Sequence, residues 1–281
     1  MDVLITGAYG RVGTALIDHL GNRSEYDFTY LNRSDRPTDH PYGEYETVVA
    51  DVSEFDAIRP AFDGQDAVVH LAADPQTDAS WESVLENNVI GMYNVLEAAR
   101  EAGVETFVFG STHHVVGMYE VEHRPDIYEP EYGLVLDRNT PRRPDSYYGV
   151  SKSLGEDIGR YYVENHEFPK QFYSLRITTV RHDRYDHPYG DAERGVDRGE
   201  WDRGSPEYDE MVSRMKSTWL SRRDLAQIVD CCLTDTSVEY DVFYAVSDND
   251  RRWYGLEHAR SVIGYRPRDN AESWESPPST T

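Results

Sequence analysis

Asp2-Val3-Leu4-Ile5-Thr6-Gly7-Ala8-Tyr9-Gly10-Arg11-Val12-Gly13 stands at the head of the chain, and its reading decides the fold. Residues 3–6 are a short β-prone run, glycines follow with the spacing G-x-x-G-x-x-G, and residues 11–20 carry apolar side chains at helical period. In such a strand–turn–helix the first glycine permits a tight turn, the second lets the backbone approach a pyrophosphate, and the third lets helix and strand pack closely. The helix N-terminus adds amide donors and a partial positive charge. Gly7, Gly10 and Gly13, with Tyr9, Arg11 and Val12 in the same loop, therefore read as a dinucleotide-binding turn. The strand before and the helix after carry that reading, because a glycine-rich turn alone does not.

Outward from this loop, short apolar runs alternate with longer amphipathic stretches. Strands are expected at residues 3–6, 28–31, 47–50, 67–71 and 106–109, and helices at 11–20, 55–62 and 81–102, the last closed by Gly103. The second half adds a helix at 146–165, a strand at 172–177, a helix at 223–233, a strand at 242–246 and a helix near 255–263. Such alternation predicts an α/β protein, a Rossmann-type doubly wound parallel sheet covered on both faces. Residues 1–177 form its dinucleotide-binding core, including the helix at 146–165; residues 178–281 form a small C-terminal substrate lobe interleaved with the last core elements. Residues 119–144 and 182–208 break the rhythm with Pro, Gly, Tyr and charge, and read as lids, binding loops or disordered segments. An acidic insertion is placed near 182–213, and the tail beyond Glu275 is expected to fray.

The 281 residues suffice for one substantial core with a lobe attached. Acidic residues outnumber Lys and Arg by 52 to 28, and the net charge of -24 argues against nucleic acid or an anionic membrane surface as partner. Lys152, Lys170 and Lys216 are the only lysines, a composition that resembles salt-adapted proteins. At molar salt the Debye length is about 3 Å, which screens such a surface, so the fold is expected to loosen when salt is removed. Cys231 and Cys232 are adjacent and poorly placed to pair with each other, in keeping with a reducing, cytoplasmic compartment. No apolar run approaches the length of a membrane span.

Tyr148-Gly149-Val150-Ser151-Lys152 sets a phenol and an ammonium at i,i+4, on one helix face. A phenol near its ordinary pKa of about 10 is a poor base at neutral pH, and a neighbouring cation favours its ionised form. Ser111 and Thr112 follow the strand at 106–109, at the sheet edge where ligands bind, and one of them is expected to orient the substrate. His113-His114 is not read as a metal site, on the expectation that neighbours on an extended segment point apart. After the second strand the chain reads Leu31-Asn32-Arg33-Ser34, where a carboxylate would select against a ribose 2′-phosphate. A neutral Asn32 followed by Arg33 and Ser34 leans the cofactor to NADP, with NAD the alternative. Asp51 is placed to accept from the adenine amino group.

These residues resemble the extended short-chain dehydrogenase/reductase family, of the NAD-dependent epimerase/dehydratase type. The likeness rests on the Gly7/Gly10/Gly13 loop, Asp51-Val52, His70-Leu71-Ala72-Ala73, Asn88 and Tyr148/Lys152. Residues 111–117, 143–152, 217–221 and 247–250 are similar to uronate dehydrogenases and haloarchaeal sugar dehydrogenases. The resemblance implies NAD(P)-dependent oxidation of an aldose at C1 to the lactone, the aldose being a uronate, a sugar phosphate or a neutral sugar. It implies that Val52, Leu71, Ala72 and Ala73 line the cofactor and that Thr112 partners Tyr148, with Ser111 adjacent. It further implies that Asn88 belongs to a proton relay, that Ser111, Thr112, His113 and Arg214 meet the sugar, and that the protein is a homo-oligomer through the helices at 81–102 and 146–165. His113 stands where the relatives have asparagine and Asn32 where they have aspartate. A nucleotide-sugar epimerase or dehydratase, and a cofactor-sensing protein without turnover, are the alternatives.

Overall fold

The computed structural model describes residues 1–278. In chain order the strands are β1 (Asp2–Thr6), β2 (Asp27–Asn32), β3 (Thr47–Val49), β4 (Ala67–His70), β5 (Thr106–Thr112), β6 (Gln171–Ile177) and β7 (Tyr240–Ala245). The helices are α1 (Arg11–Leu20), α2 (Phe55–Ile58), α3 (Trp81–Val84), α4 (Gly91–Ala102), α5 (Gly117–His123), α6 (Tyr147–Asn165), α7 (Gly190–Asp197), α8 (Pro206–Thr218), α9 (Arg222–Thr234) and α10 (Glu257–Val262). All seven strands run parallel in the order β3-β2-β1-β4-β5-β6-β7. This is the expected doubly wound sheet. The strand order reverses between β1 and β4, and there the carboxyl ends of the strands open a crevice for ligand.

Strands buried on both faces send alternate side chains to opposite layers. Val3 and Ile5 of β1 pack with α1 and α9, whereas Leu4 packs on the other face with Val95 and Leu96 of α4. β4 and β5 repeat the division, with Val69 and Val108 on the first face and Val68, Phe107 and Phe109 on the second. On that second face Phe107, Phe172 and Tyr240 form a stacked ladder across β5, β6 and β7, with centroids 5.3 and 5.8 Å apart. α6 lies against these rings on glycines. A Cβ at Gly155 would come within 2.4 Å of the Phe109 ring, and one at Gly159 within 2.2 Å of the Phe172 ring. The closeness of α6 to the sheet sets the height at which Tyr148 and Lys152 reach the crevice.

Three expectations change. The helix at 81–102 is continuous but passes through a π-helical turn, Leu85–Ile90. Residues 119–144 are anchored rather than loose: α5 runs into them, Ile127, Tyr128 and Leu136 are buried, and Leu136 bridges to Tyr254. The 182–213 stretch is mostly helical, and α7 and α8 close on a small core of Tyr189, Ala192 and Tyr208. Its α8 has a start signal, since Ser205 caps Tyr208 N and Pro206 follows at the first turn. β7 and α9 complete the main sheet from the second half of the chain, which leaves α7, α8 and the turn Ala271–Ser273 as the lobe beside the crevice. The fraying expected beyond Glu275 falls in part on residues 279–281, which lie outside the described residues. No helix among the described residues is long and apolar enough to cross a membrane.

Candidate active site

The carboxyl ends of β1, β2, β4, β5 and β6 open on one cavity of about 1050 Å³. Its floor is the glycine loop. Gly7 has a positive φ of 70°, and a Cβ there would lie 2.7 Å from Ala72 N, so the loop packs against the end of β4 with no room for a side chain. Thr6 ties the two together: its hydroxyl is hydrogen-bonded to His70 Nδ1 at 2.7 Å and accepts from the Leu71 and Ala72 amides at 3.3 and 3.4 Å. His70 is neutral there, because burial first and the charge of Lys152 second push its pKa down to about 3.

The residues expected at the cofactor all line this cavity, from the glycine loop through Asn32, Arg33 and Ser34 to Asp51, Val52 and Leu71-Ala72-Ala73. Asn32 Nδ2 donates to Ser34 O at 2.7 Å. Asp51 accepts from Ser53 N and Oγ with one carboxylate oxygen. Arg36, absent from the sequence reading, covers the Tyr9 ring at 5.1 Å, and the Tyr9 hydroxyl meets Thr47.

The catalytic candidates enter from β5 and α6. Burial pushes the Tyr148 phenol up to about 12, while the Thr112 hydroxyl, next to it, and the charge of Arg11 pull the other way. Lys152 is buried with its Nζ 4.7 Å from the Phe109 ring centroid and 5.9 Å from that of Tyr148. Burial alone brings its pKa down to about 7. Gly149 makes the junction possible, because a Cβ there would meet His114 O at 2.5 Å.

Other candidates sit differently from their expected roles. Ser111 lines the cavity, but its hydroxyl donates to buried Glu156, which also binds Arg176. Asn88 does not line the cavity; its Nδ2 donates to Asp74 O and Ser151 Oγ and its Oδ1 accepts from Asp74 N. His113 and His114 begin a 3-10 turn rather than an extended segment, and their rings lie 4.3 Å apart. They are nevertheless held by separate partners, His113 by Tyr254 OH at 2.9 Å and His114 by Asp145 at 2.8 Å. The His114 ring meets the Tyr148 ring edge-on at 5.9 Å. No group of three His, Cys, Asp or Glu among the described residues is placed to hold a metal.

Arg214 does reach the cavity, braced by Glu120 through Nε at 2.6 Å and Nη2 at 3.3 Å. Glu120 is itself fixed by the Tyr128 hydroxyl at 2.9 Å. Sequence reading missed Arg181, Arg194 and Arg198, which share the same wall. Their signal was an arginine density within the acidic 182–213 stretch and just before it.

Comparison with known proteins agrees with this geometry. The model of the NAD-dependent epimerase/dehydratase family matches residues 3–193. The NAD-dependent glucose-6-phosphate dehydrogenase of Haloferax volcanii is 39% identical over 273 residues, covering 96% of this chain and 94% of its own. The L-arabinose 1-dehydrogenase (NAD(P)(+)) of the same organism is 36% identical over 276 residues, covering 96% and 97%. Among solved structures, a uronate dehydrogenase from Agrobacterium tumefaciens superposes with a TM-score of 0.74 at 27% identity, over 99% of this chain and 91% of that one.

Proposed function

Because the chain belongs to the NAD-dependent epimerase/dehydratase family, we propose that it is an NAD(P)-dependent sugar 1-dehydrogenase that oxidises an aldose at C1 to the aldonolactone. One observation carries this reading: the Tyr148 phenol, the Thr112 hydroxyl and Lys152 stand on the wall of the cavity whose floor is the glycine loop. The cradle fits a dinucleotide, since Cβ atoms at Gly7 and Gly13 would strike the Ala72 and Ala8 backbones. The loop amides and Arg11 would hold its diphosphate, Asp51 its adenine, and Lys152 the ribose beside the reacting centre. Bound there, the oxidised nicotinamide supplies the acceptor for the C1 hydride.

The chain's own residues handle the proton. Thr112 orients the C1 hydroxyl and Tyr148, as phenolate, removes its proton while the C1–H bond breaks, which leaves a carbonyl at C1. A charged Lys152 favours the phenolate. Arg214 faces the sugar with Nη1, the part of its guanidinium that Glu120 leaves unpaired. In this reading the cofactor is NADP, with NAD the alternative, a lean supported by Arg33, Ser34 and Arg36 around the end of β2. The intact catalytic set and the small α7–α8 lobe make the sensor and nucleotide-sugar alternatives less favoured.

The exposed apolar side chains of Trp81, Ile90, Tyr93, Tyr147, Val150 and Tyr161 support a homo-oligomer joined through α3–α4 and α6. The free cysteines accord with a cytoplasmic enzyme. The test is cofactor reduction in concentrated KCl with NAD or NADP against uronates, hexose phosphates, pentoses and hexoses. Turnover of an aldose to its lactone supports the reading, and silence across the panel with cofactor still bound refutes it.

A further inference from the structure

The cavity wall inverts the charge of the protein. The chain carries a net charge of -24, yet seven arginines line the cavity, Arg33 and Arg36 after β2 and Arg11, Arg181, Arg194, Arg198 and Arg214 elsewhere, while Asp51 and Asp74 are the carboxylates on its wall. Of these last five arginines, two are well neutralised from behind. Asp191 takes Nε and Nη2 of Arg181 at 2.5 Å, and Glu120 takes Arg214. The other three are not. Arg194 reaches the already engaged Asp191 at only 3.3 Å, Arg198 meets Glu200 at 3.7 Å, and Arg11 has no ion-pair partner among the described residues.

Arg194 and Arg198 are four residues apart, on α7 and its helical C-cap, and so share one face. Like charges at this spacing destabilise a helix, and the arrangement holds positive charge that an anion would relieve. Arg11 feels the same crowding: burial, then Arg181 and Arg194, then more weakly Arg198 push it below the ordinary arginine range.

We propose that Arg194 and Arg198, with Arg181 behind them, form a subsite for the phosphate of a phosphorylated aldose, which makes the substrate a sugar phosphate. This rests on the dehydrogenase reading above. A phosphate monoester carries nearly two negative charges and three acceptor oxygens at neutral pH, which suits two or more guanidinium forks. A uronate carboxylate, with one charge and two oxygens, is satisfied by Arg214 alone. A neutral sugar leaves Arg194 and Arg198 without an anion. The rival occupant is the cofactor's own diphosphate, which Arg11 adjoins.

The experiment compares the wild type with Arg194→Ala/Arg198→Ala, using glucose 6-phosphate, glucuronate and glucose as probes in concentrated KCl. Cofactor affinity is measured separately by calorimetry. The wild type is expected to favour glucose 6-phosphate by kcat/KM, and the double variant to raise its KM about ten- to a hundredfold, the range for losing charge-assisted hydrogen bonds. Turnover of glucose and cofactor affinity should stay within about twofold, which also reports that the variant folds. A glucose 6-phosphate preference absent from the wild type overturns the inference and leaves the dehydrogenase reading standing. A loss confined to cofactor affinity assigns the arginines to the diphosphate and overturns it too. If none of the probes is oxidised, the wider sugar panel decides the dehydrogenase reading separately. Calorimetry of glucose 6-phosphate with the cofactor-loaded proteins then decides the subsite: binding lost in the variant supports it, and no binding to the wild type overturns it.

Discussion

At the scale of single residues, the free site opposes the ionisation it needs. Burial holds the Tyr148 phenol up at about 12 and Lys152 down at about 7, so as pH rises the lysine sheds its charge before the phenol does. In the proposed mechanism Thr112, Arg11 and a bound oxidised nicotinamide would offset this, and oxidation is expected to quicken as pH rises from the acid side. Tyr148→Phe is expected to lower kcat by about 10²- to 10⁴-fold, the usual yield of a positioned base, with cofactor affinity unchanged by calorimetry. Lys152→Met should move the acid limb of the kcat profile up by about 1–3 pH units, the range for losing a neighbouring opposite charge. A purely structural lysine would instead lower kcat evenly at every pH.

At the scale of elements, α6 reaches the crevice with Tyr148 and Lys152 because Gly155 and Gly159 let it rest on the Phe109 and Phe172 rings. Gly159→Ala forces a methyl group against the Phe172 ring. Overpacking of this kind costs about 1–3 kcal/mol, partly offset by alanine's better helix propensity, and should appear as a lower denaturant midpoint. A midpoint equal to that of the wild type would show that α6 can lift off the sheet freely. The same helix shows what a sequence makes legible. Tyr148 and Lys152 were readable because i,i+4 spacing fixes a shared face, and the glycine loop because its function lies in the backbone. The setting of Asn88 was not readable, because only the folded chain joins its side chain to Asp74 and Ser151. Arg181, Arg194 and Arg198 were hidden for a related reason: their meeting depends on how α7 packs beside the crevice. The α8 pattern Tyr208, Met211, Val212 and Met215 was available at helical spacing but was obscured by its charged surroundings.

At the scale of the whole molecule, a strongly acidic protein encloses an arginine-lined cavity. With the Debye length growing from about 3 Å in molar salt to about 10 Å at 0.1 M, the surface carboxylates repel one another over longer distances as salt is withdrawn. The unfolding midpoint is therefore expected to fall when KCl is removed, and a midpoint that holds steady would mean that the surface charge is already compensated within the fold. The central claim, that this cavity removes hydride from C1 of an aldose, is tested most directly by isotope transfer. The protein, in concentrated KCl, is given NAD or NADP with aldoses deuterated at C1, and both products are examined by mass spectrometry. The account predicts a reduced cofactor one mass unit heavier and an unlabelled aldonolactone or its hydrolysis product. Reduced cofactor without deuterium, or a sugar epimerised with its C1 deuterium retained, would contradict it.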